Sequence, residues 1–284
     1  MNPIVNYFYQ IINIHIKVLT WPVNLLEKKG SNNTACFIHN QKAKSKQLSH
    51  KFYYDHLLSL FYVEENVDKH YFSNRIRGFE LYENGLNQRG DNLASSYCLD
   101  QITFSRSDIV IDCGANYADL YLYLKSVIDP INYITFEPSL EEFNVIKLNA
   151  PQSFNNNTGL GNKNEIKKFY LSTEDGDSSF VEPSFYTDVV KIRTVTLSSF
   201  VRENKIEKIK LLKLEAEGFE PEILDGANDV LDLIEYIALD GGCERGMSED
   251  ETFSCLTNVL IRNNFEILKI NWPESRAIFR RTSI

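Results

Sequence analysis

The stretch Asp108-Ile-Val-Ile-Asp-Cys-Gly-Ala-Asn-Tyr-Ala-Asp-Leu120 decides the fold of this chain. A short apolar run ends at an acid, Asp112, and a glycine turn and an apparent helix follow it. A second apolar run ends in Phe136-Glu-Pro138. This order is typical of the start of a nucleotide-binding βαβ unit, in which an acid at the tip of the second strand holds the two ribose hydroxyls of an adenosine. Glu137 is therefore the predicted ribose ligand.

From Asp108 onward, strand and helix patterns alternate along the chain. Strands are predicted at 108–112, 132–136, 166–171, 189–195, 209–215, 235–240, 265–270 and 276–281. Helices are predicted at 117–128, 139–149, 197–204, 220–231 and 249–263. The alternation predicts an α/β fold with a mainly parallel sheet and helices on both faces.

Two pairs of predicted strands depart from this alternation. No clear helix separates 166–171 from 189–195, so these strands should form an antiparallel insertion. The turn Asn271-Trp-Pro-Glu274 joins the last two strands, so the sheet should end in a hairpin.

The predicted domains are an N-terminal helical and linker segment, 1–72, and a Rossmann-like domain, 73–284. Residues 4–26 are apolar in places but too polar to span a bilayer. They are compatible with a helix on a membrane surface or a partner protein, but a helix packed on its own domain, or a loose terminus, is favoured. Residues 31–50 resemble a loop or linker, and 51–72 has the spacing of a helix.

The composition indicates the cellular compartment and the kinds of partner that the protein would bind. The chain has 284 residues and a net charge of -9, which argues against nucleic acid as the main partner. Its five cysteines form no C-x-x-C pair, as expected of free thiols in a reducing compartment. With no visible secretory signal, we expect a cytoplasmic protein. Membrane association and a homodimer both stay open.

The first glycine turn has one glycine where dinucleotide folds usually have three. Asn116 and Asp119 stand at the other two positions, and Asp119 would repel a pyrophosphate at the start of the helix. A cofactor with adenosine but no phosphate fits better, and S-adenosylmethionine is such a cofactor. The alternative is a strand–turn–helix that binds no ligand.

Charged residues collect where two later strands end. The strand from Ile209 is followed by Lys213, Glu215 and Glu217, and the strand from Tyr236 ends at Asp240. Such crowding is costly unless it serves a site, although a structural Lys213–Glu215 pair is the alternative. The carboxyl ends of parallel strands face one crevice, so Asp112, Glu137, Glu217 and Asp240 should line it together.

Taken together, these segments resemble the FkbM family of S-adenosylmethionine-dependent methyltransferases over roughly residues 85–270. The matching stretches are Val110-Ile-Asp-Cys-Gly-Ala-Asn116, Phe136-Glu-Pro-Ser139, Gly159-Leu-Gly-Asn162, Thr196-Leu-Ser-Ser-Phe200, Leu212-Lys-Leu-Glu-Ala-Glu-Gly-Phe-Glu220 and Ile223-Leu-Asp-Gly-Ala227. The resemblance implies a class I methyltransferase fold, a seven-stranded sheet whose last strand is antiparallel. It also implies O-methylation, often of sugar or glycan hydroxyls or of hydroxyls on related metabolites.

The resemblance and the motifs together give the predicted site. The cofactor-binding residues are Asp112, Gly114, Ala115, Asn116, Tyr117, Glu137, Pro138, Gly159, Leu160 and Glu215, with Gly159 and Leu160 near the adenine. Arg89, Asp91 and Glu244 are predicted to bind the substrate. Three residues depart from the family pattern: Ala118 for a glycine, Glu215 for an aspartate and Phe219 for a small residue.

The implied reaction is in-line attack of a substrate hydroxyl on the sulfonium methyl. All five histidines precede the nucleotide-binding part, so Asp240 or Glu217 is the predicted base, with Lys213 or Arg245 stabilising the oxyanion. A divalent metal on the carboxylates is compatible with the sequence but not favoured. The competing functions are a nicotinamide-dependent oxidoreductase and a cofactor-binding scaffold without catalysis.

Overall fold

The computed structural model describes residues 29–172 and 178–282, and the chain separates into two compact units, Met1–Leu86 and Asn87–Ile284. The predicted boundary between residues 72 and 73 falls inside the first unit. The predicted amphipathic segment at 4–26 lies outside the described residues.

The first unit is a three-stranded antiparallel sheet with two helices. Its elements are α1 (Asn32–Ser45), β1 (Lys51–Asp55), β2 (Leu60–Glu65), β3 (Asp68–Phe72) and α2 (Arg75–Leu81).

Both secondary-structure predictions for the first unit were wrong. The predicted loop at 31–50 is mostly α1, whose N-cap Ser31 accepts a hydrogen bond from the Thr34 amide. The predicted helix at 51–72 is the three-stranded sheet. Leu57 and Phe61 matched a helical spacing, but Leu57 lies in a hairpin turn and is 97% exposed. Phe61 is instead one of a set of buried aromatic side chains with strand periodicity.

The second unit carries most of the secondary structure. Its elements are α3 (Leu86–Ser96, which begins at the unit boundary), β4 (Val110–Cys113), α4 (Asp119–Leu124), β5 (Tyr133–Phe136), α5 (Leu140–Asn149), β6 (Phe154–Asn156), β7 (Gly159–Leu160), β8 (Glu165–Leu171), β9 (Asp188–Val195), α6 (Leu197–Glu203), β10 (Ile209–Leu214), α7 (Glu220–Asp225), β11 (Ile234–Asp240), β12 (Cys243–Arg245), β13 (Asp250–Glu251), α8 (Phe253–Arg262), β14 (Phe265–Asn271) and β15 (Arg276–Arg281).

Seven of these strands form one sheet in the order β14-β15-β11-β10-β4-β5-β6. β15 runs opposite to the other six strands and pairs antiparallel with β11 and β14, whereas all the other pairs are parallel. The predicted mainly parallel α/β sheet is therefore confirmed. The order of the strands reverses between β4 and β10, and ligands of open α/β sheets bind outside the carboxyl ends at such a reversal.

Helices cover both faces of this sheet. One face packs against α6, α7 and α8 through buried residues such as Phe200, Leu224 and Leu256. The other packs against α3, α4 and α5 through residues such as Leu93 and Leu124.

The two predicted departures from parallel order are also present. β8 and β9 pair antiparallel, with the short β7 as a third strand, and residues 173–177 between them lie outside the described part. β14 and β15 form the closing hairpin. All five cysteines are free thiols. None of the helices between residues 29 and 282 combines the length and apolar character needed to cross a membrane.

Candidate functional site

The turn after β4 depends on its single glycine. Gly114 has φ +71°, and a Cβ there would overlap the carbonyl oxygen of Glu215. The amides of Gly114 and Ala115 donate to the Phe136 carbonyl at 3.0 and 3.3 Å, which ties the turn to the end of β5. The neighbouring backbones of β4, β5 and β10 therefore approach one another at a point that only glycine permits.

Glu137 is buried where β5 ends and is held by main-chain amides. Its carboxylate accepts hydrogen bonds from the amides of Asn116, at 2.9 Å, and Ser139, at 3.0 Å. Burial, with the nearby Glu142, raises the pKa of Glu137 to about 8. The side-chain oxygen of Asn116 is buried beside it and has no hydrogen-bond partner among the described residues. The turn thus presents one buried acceptor, the Asn116 oxygen, that has no donor among the described residues.

The charge of Asp119 in the first turn of α4 is compensated. Arg89 on α3 donates to Asp119 at 2.7 Å, and both side chains are largely buried. The predicted repulsion of a phosphate by Asp119 is therefore weakened. Arg89, a predicted substrate residue, is paired with Asp119 in this structure.

Lys213 on β10 connects the acids at the ends of the central strands. Its Nζ lies 3.1 Å from Asp112 and 2.8 Å from Glu215, and it donates to the Gly114 carbonyl at 2.7 Å. The Tyr133 hydroxyl donates to Asp112 from the other side. The predicted alternative, a structural Lys213–Glu215 pair, is present within a larger group.

Arg276, at the start of β15, extends this group to the next strand. Its guanidinium lies 3.0 Å from Glu215 and 2.7 Å from Asp240, and it stacks 4.4 Å above the ring of the buried Tyr97. Burial alone would raise the pKa of Glu215, but Lys213 and Arg276 hold it at about 2. We call Asp112, Lys213, Glu215, Arg276 and Asp240 the charged network.

The loop between β10 and α7 is tightly folded. The strand ends at Leu214, so the side chain of Glu217 is not placed by the strand on the same side as those of Lys213 and Glu215. Glu217 has φ +50°. The buried Glu220 accepts from the Ala216 amide at 2.6 Å. Burial raises the pKa of Glu220 to about 7. Glu220 thus shapes the loop that presents Glu217.

Arg245, a predicted oxyanion stabiliser, is paired within the protein. It forms two hydrogen bonds with the carboxylate of Glu222, at 2.9 and 2.7 Å, and donates to the Gly218 carbonyl. The predicted substrate residues Asp91 and Glu244 are exposed.

Aromatic rings fill the space beside the predicted adenine segment. A Cβ on Gly159 would overlap the ring of Phe180, and a Cβ on Gly161 would lie 3.2 Å from the ring of Phe219. The two rings are 5.2 Å apart. Phe219, which replaces a small residue of the family, therefore packs against Phe180 beside Gly161.

The remaining predicted cofactor residues lie around the turn. Ala115 and Tyr117 are buried, and Asn149 on α5 donates to the Tyr117 carbonyl at 2.8 Å. Pro138 is partly exposed beside Glu137.

Sequence reasoning missed Arg276 and Glu222, although one of them had a usable signal. A predicted closing hairpin places the start of the last strand at the edge where the parallel strands end. A charged residue there, Arg276, was therefore a candidate partner for the acids. Among the described residues, no three His, Cys, Asp or Glu side chains are grouped so that they could hold a metal ion.

Comparison with known proteins agrees with the predicted family. No curated protein sequence gave a significant match. A crystal structure of methyltransferase FkbM from Methylobacillus flagellatus KT is similar, with a TM-score of 0.44 and 16% sequence identity. That match covers 68% of this chain and 50% of the other, so this chain spans about half the length of that protein. Residues 112–239 match the model of the methyltransferase FkbM domain. The matched segment, residues 112–239, is therefore similar to the methyltransferase FkbM domain.

Proposed function

We propose that this protein is an S-adenosylmethionine-dependent O-methyltransferase that acts on a hydroxyl of a sugar, a glycan or a related metabolite. The observation that carries the proposal is the match of residues 112–239 to the FkbM domain, since this span includes the turn after β4 and Glu137. The sheet order, with β15 antiparallel at its place between β11 and β14, supports a class I, Rossmann-like methyltransferase fold.

The residues of the turn fit the cofactor. Glu137 is placed to accept hydrogen bonds from the ribose hydroxyls, and the buried Asn116 oxygen lacks the donor that a bound ligand would supply. Gly114 keeps the main chain close enough for this contact. When bound, the cofactor supplies a methyl group on a positively charged sulfur. Cofactor-binding roles for the other predicted residues remain part of this proposal.

Of the two predicted bases, Glu217 is the one that we propose. Asp240 accepts from Arg276 and from the Gly242 amide, so both of its oxygens are engaged. Lys213 is enclosed between Asp112 and Glu215. Glu217 is partly exposed in the loop after β10 and takes the proton of the acceptor hydroxyl as its oxygen is methylated.

The charged network then has a supporting role. Lys213 and Arg276 hold the pKa of Glu215 at about 2 and fix the acids at the strand ends, which preserves the shape of the crevice for aligning the acceptor. We expect the protein to act in the cytoplasm on a small-molecule or glycan acceptor.

Calorimetric titration with S-adenosylhomocysteine, with NAD as the comparison, tests the cofactor. At about pH 8.5 we expect binding of the former only, and Glu137→Ala should weaken it by about 1.5–3 kcal/mol, the scale of lost charge-assisted hydrogen bonds. Glu141→Ala, an exposed acid on α5, is the matched control and should bind like the unaltered protein. Binding of NAD alone would replace the proposal with an oxidoreductase.

A non-catalytic scaffold is the second candidate, and one observation favours it. Ala118 stands where the family usually has glycine and adopts φ +62°, which is unfavourable for alanine. Tight binding of S-adenosylhomocysteine together with no methyl transfer to any nucleotide sugar or glycan would support the scaffold over the enzyme.

A further inference from the structure

The outward face of the β8–β9 hairpin has an unusual composition. The register of the pair places Ile166 opposite Arg193, Lys168 opposite Lys191, and Tyr170 opposite Val189. We call these six residues the outer hairpin face.

Three cations on this face have no ion-pair partner among the residues that the structure describes. None of Lys168, Lys191 and Arg193 forms an ion pair with a carboxylate in the described ranges 29–172 and 178–282. Lys168 and Lys191 are directly opposite each other, an arrangement of like charges that destabilises an antiparallel pair. A cluster of three cations contrasts with the net charge of -9 of the whole chain.

Protection of a sheet edge explains only part of this cluster. An edge strand often carries lysine to prevent pairing with another chain, and β8 is an edge strand. β9 pairs with β7 only at Thr194 and Val195, so edge protection accounts for cations on both strands but not for the exposed apolar side chains beside them.

Apolar and aromatic side chains accompany the cations. Ile166 is 64% exposed and Val189 37% exposed. At the Tyr170 end, Tyr186 packs against the Tyr170 ring at a centroid distance of 5.1 Å, and both hydroxyls lie near the carboxylate of Glu182. The cationic part is therefore the half near Ile166, and the aromatic part is the other half.

We propose that the outer hairpin face docks on an anionic lipid bilayer. Lysine and arginine near a negatively charged leaflet each contribute about 1 kcal/mol, and apolar and aromatic side chains favour the headgroup boundary. A polysaccharide or nucleic acid would use the cations but would leave Ile166 and Val189 in water. The occupant that satisfies both sets of side chains is a membrane surface.

The inner face of the same hairpin contacts the candidate site. Phe169 packs on Phe180 at 4.7 Å, and Phe180 packs on Phe219 in the loop after β10. Ser179 donates to the Glu217 carbonyl at 2.7 Å. Docking would therefore bring the bilayer close to the loop that holds Glu217. If the proposed function is right, the acceptor is presented at that membrane.

Co-sedimentation of the full chain with lipid vesicles tests the docking, and it requires no activity. We expect binding to phosphatidylcholine vesicles that contain about a quarter phosphatidylserine, weak binding to pure phosphatidylcholine, and a decline with salt. The triple variant K168E/K191E/R193E should lose about a hundredfold or more in affinity, from about 1 kcal/mol per cation. A control triple, K44E/K147E/R262E, makes the same change of net charge on three exposed helix positions and should bind like the unaltered protein.

A second variant separates the apolar contribution. I166S/V189S should weaken binding to the anionic vesicles several-fold and leave the salt dependence unchanged, since no charge is altered. Circular dichroism checks that each variant is folded. Equal binding by the two triple variants, no binding by the unaltered protein, or loss of binding only to a soluble polyanion such as heparin would each overturn the proposal. Because cofactor titration is a separate measurement, failure of docking is distinguishable from failure of the proposed function.

Discussion

The two halves of the candidate site hold their acids in opposite ways. Where β10, β11 and β15 meet, Glu215 and Asp240 are neutralised by Arg276 and, for Glu215, by Lys213. Where β5 ends, Glu137 is held by two main-chain amides, and burial raises its pKa to about 8. The first arrangement pairs each acid with a cation, whereas the second holds its acid by main-chain amides and, among the described residues, without an ion pair.

This difference separates structural acids from ligand-binding ones. A buried acid with a fixed cation contributes to stability only as long as the pair is intact, and breaking the pair is costly. A buried acid without a cation is poised to respond to a ligand, because hydrogen bonds from the ligand stabilise its charged form. The predictions for Arg276 and for Glu137 each alter one half and leave the other as the reference.

The largest effect is expected for Arg276→Gln. It leaves the buried Asp240 without its cation and the half-buried Glu215 with Lys213 alone, and the free energy of unfolding should fall by about 3–5 kcal/mol. The loss should be smaller near pH 4 than near pH 8, because protonated carboxyls need no cation. Urea unfolding at both pH values measures it.

A matched control for that variant exists on the same strand. Arg280→Gln removes a guanidinium from an exposed pair with Glu266, and no measurable change in stability is expected. Equal losses in the two variants would contradict the structural role of the network.

Gly114→Ala should have the next largest effect. The added Cβ would overlap the Glu215 carbonyl oxygen, and φ +71° is unfavourable for alanine. We expect a loss of about 3 kcal/mol, at the upper end of overpacking effects, together with weaker cofactor binding. Thermal unfolding and titration with S-adenosylhomocysteine measure the two. Gly246→Ala is also at positive φ, but the nearest atom to its added Cβ is a Val181 methyl carbon at 3.3 Å, so it should cost less.

The sheet of the second unit was predictable because its information is local. Apolar runs such as Ile209–Leu214 and Ile234–Asp240 are bounded by turns, and the observed strands agree with the predicted ones within about two residues. The charged residues at their ends could be named for the same reason. Their partner Arg276 was not named, because it meets Asp240 through the pairing of β11 with β15, which are far apart in sequence, and only the predicted closing hairpin pointed to it.

The first unit shows the opposite outcome. Its strands are short and rich in aromatic residues, and a turn residue, Leu57, completes an accidental helical spacing with Phe61. The buried set Phe52, Phe61 and Phe72 becomes apparent only when the three strands are paired. Tertiary packing, rather than local periodicity, decides the structure there.

The response of Glu137 to pH sharpens the comparison directly. Below about pH 8 its carboxyl is protonated in the free protein, and the ribose hydroxyls bind the ionised form. Affinity for S-adenosylhomocysteine should therefore rise about tenfold per pH unit, about 1.4 kcal/mol, up to about pH 8 and then level off. Calorimetry in two buffers of different ionisation enthalpy should show release of a proton at pH 7.

The affinity of Glu137→Gln should not depend on pH in this way. An affinity of the unaltered protein that does not change with pH would mean that Glu137 is already ionised in the free protein.

The smallest expected effect concerns the backbone of Glu217. This residue adopts φ +50°, a conformation that costs a non-glycine residue about 1 kcal/mol. Glu217→Gly should therefore raise the free energy of unfolding by about 0.5–1 kcal/mol, whereas Glu217→Gln should leave it unchanged. Both variants should lose about 10²–10⁴-fold in methyl-transfer rate if Glu217 is the base. A Glu217→Gly variant that is more stable and inactive would show that the loop keeps a strained glutamate for catalysis. A variant that keeps its methyl-transfer rate would instead make Asp240, which is paired with Arg276, the general base.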